Sequence, residues 1–188
     1  AVDTARFAQD SDDTALFRRE LDRDLCLGPA AKILLFVGRI VAYKNPSFLI
    51  EILANLAQAS EDIVAVFAGA GPLEQEIREL AKKNSLQDRV RVLGFRDDVP
   101  NLMLSSAVLI WPSLEDPKEG LGLGIVEAQA AGLPIVMSKS VPDEAIVIPE
   151  LVKVLPLAAG PEGWAEAVLD VLGGSNPNRQ ESLRRVEA

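Results

Sequence analysis

The sequence of 188 residues contains no histidine and a single cysteine, Cys26. The lack of histidine excludes a Ser-His-Asp triad and any histidine-based metal site. One cysteine cannot form a disulfide within the chain, so a reducing compartment is expected. Cys26 stands between Leu25 and Leu27, and this apolar setting predicts a packed side chain rather than an activated thiol.

The chain also lacks long apolar runs and an excess of positive charge. No stretch approaches the ~18 uninterrupted apolar residues of a transmembrane helix, and no signal peptide is visible. The net charge of −9 argues against a nucleic-acid partner, and an anionic ligand would need a local positive site. These features predict a cytoplasmic protein without a transmembrane segment. Peripheral association of a longer protein with the inner face of the membrane stays open.

Short apolar runs alternate with helical stretches along the chain. Each run is rich in β-forming residues and ends at a turn signal, as a buried parallel strand does. Strands are predicted at 33–37, 63–68, 89–93, 107–111 and 134–137, with two shorter ones at 146–148 and 152–155. Helices are predicted at 14–25, from 45 onward, at 73–85, 99–105 and 163–172, within 119–134, and in the polar tail. The alternation predicts an α/β fold with a doubly wound, Rossmann-like parallel sheet.

Glycines cluster where the predicted strands end. Gly38 follows the first strand, Gly69 and Gly71 follow the second, and Gly94 follows the third. The loop 112–124 after the fourth strand carries three more. Ligands of doubly wound sheets bind outside the carboxyl ends of the strands, so this edge is the expected site.

The segment that begins at Glu119 has the composition of a phosphate cradle. Glu119 and Glu127 bracket the alternating glycines Gly120, Gly122 and Gly124, and a helical run follows. Glycines expose backbone amides, and the start of a helix attracts phosphate. Glu127, one turn into the helix, can accept hydrogen bonds from the vicinal hydroxyls of a ribose. The segment therefore suits a nucleotide-sugar.

Two cations, Arg39 and Lys44, lie in the loop after the first predicted strand, at the same edge. Arginine can hold phosphate oxygens bidentately and lysine adds a compact charge, so together they can neutralise a diphosphate. Viewed alone, these cations and the two glutamates are also compatible with solvated surface charge. Their common location at the glycine-rich edge favours a site. No carboxylate cluster flanks the cradle, so neither a metal nor another cofactor is expected.

These motifs resemble those of retaining glycosyltransferases with the GT-B architecture, specifically the large family 4. Glu119 to Glu127 matches the family's E-x7-E motif, and the similarity continues through 131–134 and Ser138. It extends upstream through Gly38-Arg39 with Lys44, through 69–73 and 93–95, and the opening 2–7 resembles the family's interdomain linker. Within the group, 138–145 is similar to exopolysaccharide or capsule enzymes.

The resemblance implies a role for each matching residue. Arg39 and Lys44 would bind the donor diphosphate and stabilise the leaving charge, and Glu119 would contact the donor sugar, which makes these three the catalytic set. Glu127 would hold the ribose, the main chain from Gly120 to Leu123 would contact phosphate and sugar, and the main chain near Phe95 and Arg96 would face the base. The donor-binding set is then Gly38, Phe95, Arg96, Gly120, Leu121, Gly122, Leu123 and Glu127. Leu121 departs from the family, which usually carries an aromatic residue there.

The resemblance also implies a domain organisation. Enzymes of this architecture have two Rossmann-like domains, and this chain matches the C-terminal, donor-binding one. The implied parts are a linker and lead-in helix at 1–28, the donor domain at 29–174 and a helical tail at 175–188. We expect the chain to bind a nucleotide-sugar without transferring sugar by itself, because its partner, the N-terminal acceptor domain of the same protein, is missing.

Transfer of sugar from a UDP-sugar to a glycan or lipid-linked acceptor in polysaccharide biosynthesis is the leading hypothesis, and GDP and ADP stay open. One alternative is a related nucleotide-sugar epimerase or phosphorylase. A Rossmann-like module for NAD is another, although its G-x-G-x-x-G fingerprint belongs directly after the first strand, where Gly38-Arg39 stands. A non-catalytic interaction domain with a vestigial site is the last.

Overall fold

Six parallel strands form one sheet in the order β3-β2-β1-β4-β5-β6 in the computed structural model. The structure describes residues 2–8, 11–116, 119–120, 122–174 and 177–187. The strands are β1 Lys32–Val37, β2 Ile63–Ala68, β3 Val90–Val92, β4 Val108–Trp111, β5 Ile135–Met137 and β6 Val152–Val154. The central strands are buried along almost their whole length because helices cover both faces of the sheet. The predicted doubly wound parallel fold is confirmed.

Helices cover the sheet in two layers. One layer contains α2 Ser47–Leu56, α3 Glu74–Lys83 and α6 Gly160–Gly173, packed over one apolar cluster. The other contains α1 Ser11–Asp24, α4 Val99–Ser105, α5 Leu123–Ala130 and α7 Arg179–Glu187, with a second cluster beneath it. The helices α1 and α6 each begin three residues before the predicted positions 14 and 163. Among the described residues, no helix combines the length and the apolar character that crossing a bilayer requires.

The apolar run 146–148 is not a strand, so that prediction is wrong. Its backbone is held by the fully buried amide of Gln129 on α5. The side-chain oxygen of Gln129 accepts from the amides of Val147 at 2.8 Å and Ile148 at 2.7 Å. The side-chain nitrogen donates to the carbonyls of Ile125 at 3.0 Å and Ala145 at 2.7 Å. The side chain of Gln129 therefore satisfies backbone hydrogen-bonding groups of this segment, as a neighbouring strand would in a sheet.

The prediction that Cys26 packs in the interior is also wrong, because the thiol is exposed. Cys26 follows the end of α1 and has a positive φ of 52°. In this left-handed turn the Leu27 amide donates a hydrogen bond to the carbonyl of Asp22 at 2.7 Å. The turn leaves Leu25 and Leu27 half-buried and directs the residue between them to solvent.

The loops after β1 and β2 lie directly on one another at the carboxyl edge of the sheet. The Ile40 amide donates to the carbonyl of Ala70 at 3.0 Å, and the Leu73 amide donates to the carbonyl of Ile40 at 3.3 Å. A Cβ on Gly71 would lie 2.2 Å from the Ile40 oxygen, and one on Gly69 would lie 1.8 Å from the oxygen of Gly38. Glycine is required at these positions because backbone meets backbone.

We predict that Gly71→Ala destabilises the protein by roughly 1–3 kcal/mol, since the Ile40 loop must move to admit the methyl group. At about 2–4 °C per kcal/mol for a domain of this size, Tm falls by several degrees in a thermal melt. Gly28→Ala is the matched control, because a Cβ at Gly28 meets no atom within 4 Å. Equal Tm values for the two variants would contradict the close approach.

Candidate functional site

The loop after β1 presents both predicted cations at the carboxyl edge of the sheet. Arg39 is exposed, and its guanidinium donates to the Tyr43 hydroxyl at 2.6 Å. The Tyr43 ring centroid lies 5.6 Å from the guanidinium carbon and 5.7 Å from the ammonium nitrogen of Lys44. The Tyr43 carbonyl accepts from the amide of Leu114, which ties this loop to the one after β4. Tyr43, the single tyrosine of the sequence, thus stands between the two cations.

Lys44 forms an ion pair with Glu119, which lies 75 residues further along the chain. The ammonium nitrogen is 2.5 Å from a carboxylate oxygen, and the two side chains keep only 12% and 6% of their exposure. The second oxygen of Glu119 is buried and, among the described residues, has no hydrogen-bond partner. The Glu119 backbone is fixed by its amide, which donates to the carbonyl of Ser140 at 3.0 Å. The site therefore holds a shielded cation and a spare carboxylate acceptor side by side.

Trp111, at the end of β4, packs against the Lys44 ammonium of this ion pair. The Lys44 nitrogen lies 4.3 Å from the centroid of the indole ring, which is within the range of a cation–π contact. The indole is buried in the second apolar cluster. Its contact with the ammonium was not foreseen.

The start of α5 supplies the predicted backbone cradle. Gly122 caps the helix with φ 63° and ψ 56°, a left-handed conformation that suits glycine, and its carbonyl accepts from the amide of Ile125 at 2.7 Å. The amides of the first helical turn, at Leu123 and Gly124, have no acceptor within the helix. Gly120 and the side chain of Leu123 are exposed. Leu121 lies outside the described residues.

An open cleft of about 350 Å³ lies beside the Arg39 loop. Its lining is mainly apolar and comes from the loops after the first three strands: Val37, Gly38, Arg39, Ala68, Gly69, Ala70, Phe95, Arg96 and Val99. Phe95 is 82% exposed, and its ring forms part of the lining of this cleft. The Arg96 guanidinium is occupied by the Asp98 carboxylate, a hydrogen bond that raises the pKa of Arg96.

Glu127 is half-buried on α5. Burial raises the pKa of its carboxyl, and the charge of Arg6 lowers the pKa and partly offsets that effect. Arg6 belongs to the short 3-10 turn Thr4–Phe7 and donates to the carbonyl of Asp97 at 2.8 Å. This turn therefore places a positive charge near Glu127.

The structure brings Arg39, Lys44 and Glu119 together and places Gly38, Phe95 and Arg96 around the neighbouring cleft. Three further side chains at this edge were not predicted from the sequence as site residues: Tyr43, Trp111 and Arg6. The position of Tyr43 between two cations was a usable signal, whereas the approach of Arg6 to Glu127 depends on the fold. Within the described part of the chain, no three or more cysteine and acidic side chains group as metal ligands.

The sequence is similar to known protein families and curated proteins. The profile of the Glycosyl transferases group 1 family matches residues 17–185. The chain is 35% identical over 105 residues to the UDP-Gal:alpha-D-GlcNAc-diphosphoundecaprenol alpha-1,3-galactosyltransferase of Escherichia coli, a match that covers 54% of this chain and 26% of that protein. The chain spans about a third of the length of the curated relatives that it matches.

Two solved structures share the fold. Anabaena Alr3699/HepE, in complex with UDP and glucose, superimposes with a TM-score of 0.76 at 21% identity over 99% of this chain and 48% of that one. The C-terminal domain of LpcC, a glycosyl transferase group 1 family protein from Francisella tularensis, gives 0.73 at 20% identity over 100% of this chain and 93% of that one. The profile match extends over most of the sequence, and we conclude that the chain belongs to the Glycosyl transferases group 1 family.

Proposed function

We propose that this chain is the donor-binding domain of a retaining glycosyltransferase, and that it holds a nucleoside diphosphate sugar at the carboxyl edge of its sheet. The observation that carries the proposal is the meeting of Lys44 and Glu119 beside the start of α5. A cation, a carboxylate and free helix amides are the three groups that a diphosphate with a hydroxylated sugar requires.

The diphosphate is proposed to replace Glu119 as the partner of Lys44. An ammonium that is nearly buried needs an anion at all times, because an unpaired charge is costly away from water. In this structure Glu119 supplies that anion. A diphosphate at the start of α5 would supply it instead, and exposed Arg39 would add a second cation from the loop after β1.

These cations would act on the bond that breaks. When the glycosidic bond opens, negative charge collects on the departing nucleoside diphosphate, and Arg39, Lys44 and the α5 amides stabilise it. We therefore propose that protein cations, and no metal cofactor, serve the leaving group. Glu119, once released, would turn its oxygens to the donor sugar, with one buried oxygen already unpaired among the described residues.

The remaining donor groups are assigned to the neighbouring surfaces. The apolar cleft beside Phe95 would take the base, with main chain at Phe95 and Arg96 facing its edge. Glu127 would accept hydrogen bonds from the ribose hydroxyls. The main chain from Gly120 to Leu123, Leu121 included, would contact the diphosphate and the sugar.

UDP is the proposed nucleotide, and the E. coli relative, whose name includes UDP-Gal, supports it. The nearly full overlap with a C-terminal domain of another group 1 protein supports the proposed domain organisation. The acceptor, a glycan or a lipid-linked sugar of polysaccharide biosynthesis, would bind to a second domain of the same protein. The chain alone would then bind its donor without transferring sugar.

One prediction of the proposed function concerns nucleotide binding. Thermal melts with UDP, GDP, ADP and NAD, each at about 100 times its Kd, should show stabilisation of ~2.7 kcal/mol by one diphosphate, with UDP expected. That corresponds to a rise in Tm of roughly 5–10 °C. The double variant Arg39→Gln with Lys44→Met should lose this rise relative to its own ligand-free Tm, because both phosphate cations are gone.

Arg19→Ala with Lys83→Ala is the matched control. It removes the same charge from exposed positions on α1 and α3 and should keep the full rise in Tm. A rise with NAD alone would contradict the proposal, and so would a diphosphate response that survives in the Arg39 and Lys44 double variant.

Another prediction concerns the protonation of Glu127. Because burial raises the pKa of its carboxyl, the charged form is disfavoured in the folded state. The resulting cost in stability is present above the folded pKa and disappears as the pH falls through that pKa towards the ordinary value of 4.5. Glu127→Gln should therefore raise Tm at pH 8, and the gain should shrink at pH 5.

The same variant should weaken UDP binding in calorimetry by about 5–30-fold, since a charged acceptor of the ribose hydroxyls is lost. Glu20→Gln, at an exposed position on α1, is the control for both measurements and should change neither. If Glu127→Gln binds UDP as the wild type does, the ribose assignment is wrong.

A further inference from the structure

We infer that Trp111 is a positioning residue for the diphosphate site: its indole face holds the Lys44 ammonium in place while the anion partner changes from Glu119 to the donor. This inference rests on the proposed function. It adds a residue that neither the sequence motifs nor the proposed donor contacts include.

The contact between Lys44 and Trp111 joins a loop side chain to one that is anchored in the sheet. Lys44 has a long, flexible side chain on a loop, and its nitrogen lies 4.3 Å from the indole centroid. Trp111 is the last residue of β4, paired in register with Met137 of β5, and its carbonyl accepts from the amide of Ser138 at 3.0 Å. The indole is therefore anchored by the sheet, whereas Tyr43, the other ring near the ammonium, lies on the loop itself and further away, at 5.7 Å.

The same ring also lies close to the start of α5. A Cβ on Gly124 would lie 3.0 Å and 3.2 Å from two carbon atoms of the six-membered ring of Trp111. The indole is thus next to both the ammonium of Lys44 and the first turn of the helix. These are two of the groups proposed to bind the diphosphate, and one rigid ring sets the spacing between them.

The burial of the Lys44 side chain strengthens its cation–π interaction with Trp111. The Lys44 side chain keeps 12% of its exposure, so water does little to stabilise the ammonium when Glu119 leaves. Cation–π attraction is stronger in such a desolvated setting, and tryptophan provides the best ring face. The indole nitrogen is buried and has no acceptor among the described residues, so packing and the ammonium fix the ring.

The test separates the phosphate part of the affinity from the rest. Calorimetry would give Kd values for UDP and for uridine, which lacks the phosphates, with wild type, Trp111→Leu and Trp111→Phe. Trp111→Leu should weaken UDP binding about tenfold and leave uridine binding unchanged, and Trp111→Phe should fall between the two because it keeps a weaker ring face.

A double-mutant cycle identifies Lys44 as the group through which Trp111 acts. In a Lys44→Met background, Trp111→Leu should cause no further loss of UDP affinity. Trp164→Phe is the matched control, since Trp164 is fully buried in the cluster on the opposite face of the sheet and should leave the ratio of uridine to UDP Kd unchanged.

A second measurement applies if Trp111→Leu does not fold. In Trp164→Phe the remaining tryptophan is Trp111, because the sequence contains two. The fluorescence emission of Trp111 should change on addition of UDP, and the titration should give the same Kd as calorimetry. Addition of uridine should leave the emission unchanged.

The possible outcomes distinguish a failure of the Trp111 role from a failure of nucleotide binding. Equal losses of UDP and uridine affinity in Trp111→Leu, additive losses in the cycle, or an emission that UDP leaves unchanged would overturn the role of Trp111 alone. Failure of the wild type to bind any nucleoside diphosphate would overturn the proposed function and this inference together.

Discussion

The ion pair between Lys44 and Glu119 is the interaction on which the site depends. It joins the loop after β1 to the segment that leads into α5, and both side chains are nearly buried. Such a pair adds little net stability over an apolar replacement, because desolvation of the two charges offsets their attraction. Removal of one partner is far more costly, at about 3–5 kcal/mol. In the proposed function the pair keeps a cation ready for another anion, in a protein whose net charge of −9 repels anions elsewhere.

The fold supports this pair through backbone contacts between loops. Gly69 and Gly71 let the loop after β2 lie against the Gly38 loop, and the Tyr43 carbonyl docks that loop on Leu114. On the other side, the Ser140 carbonyl fixes the backbone of Glu119. Main-chain bonds and sheet geometry thus determine the positions of both charged side chains.

The sequence predicted the architecture, because buried strands and glycine-rich turns leave local signals, and it predicted the edge of the sheet at which the candidate site residues gather. Arg39, Lys44 and Glu119 meet at that edge, while their chemical roles stay predictions. The run 146–148 was misassigned, since its apolar pattern is the same whether a strand or the amide of Gln129 satisfies the backbone. The prediction that Cys26 is buried was wrong for a similar reason. Its apolar neighbours do not reveal that a left-handed turn follows the helix. The contact of Trp111 with Lys44 depends on tertiary placement, which no local pattern encodes.

A crystal structure of the protein with UDP would test the proposed exchange of partners at Lys44 directly. The account predicts a diphosphate oxygen within about 2.7–3.2 Å of the Lys44 nitrogen, with the Glu119 carboxylate moved beyond contact and the ammonium still over Trp111. UDP bound elsewhere, or bound at this edge with the Lys44–Glu119 pair intact, would contradict it.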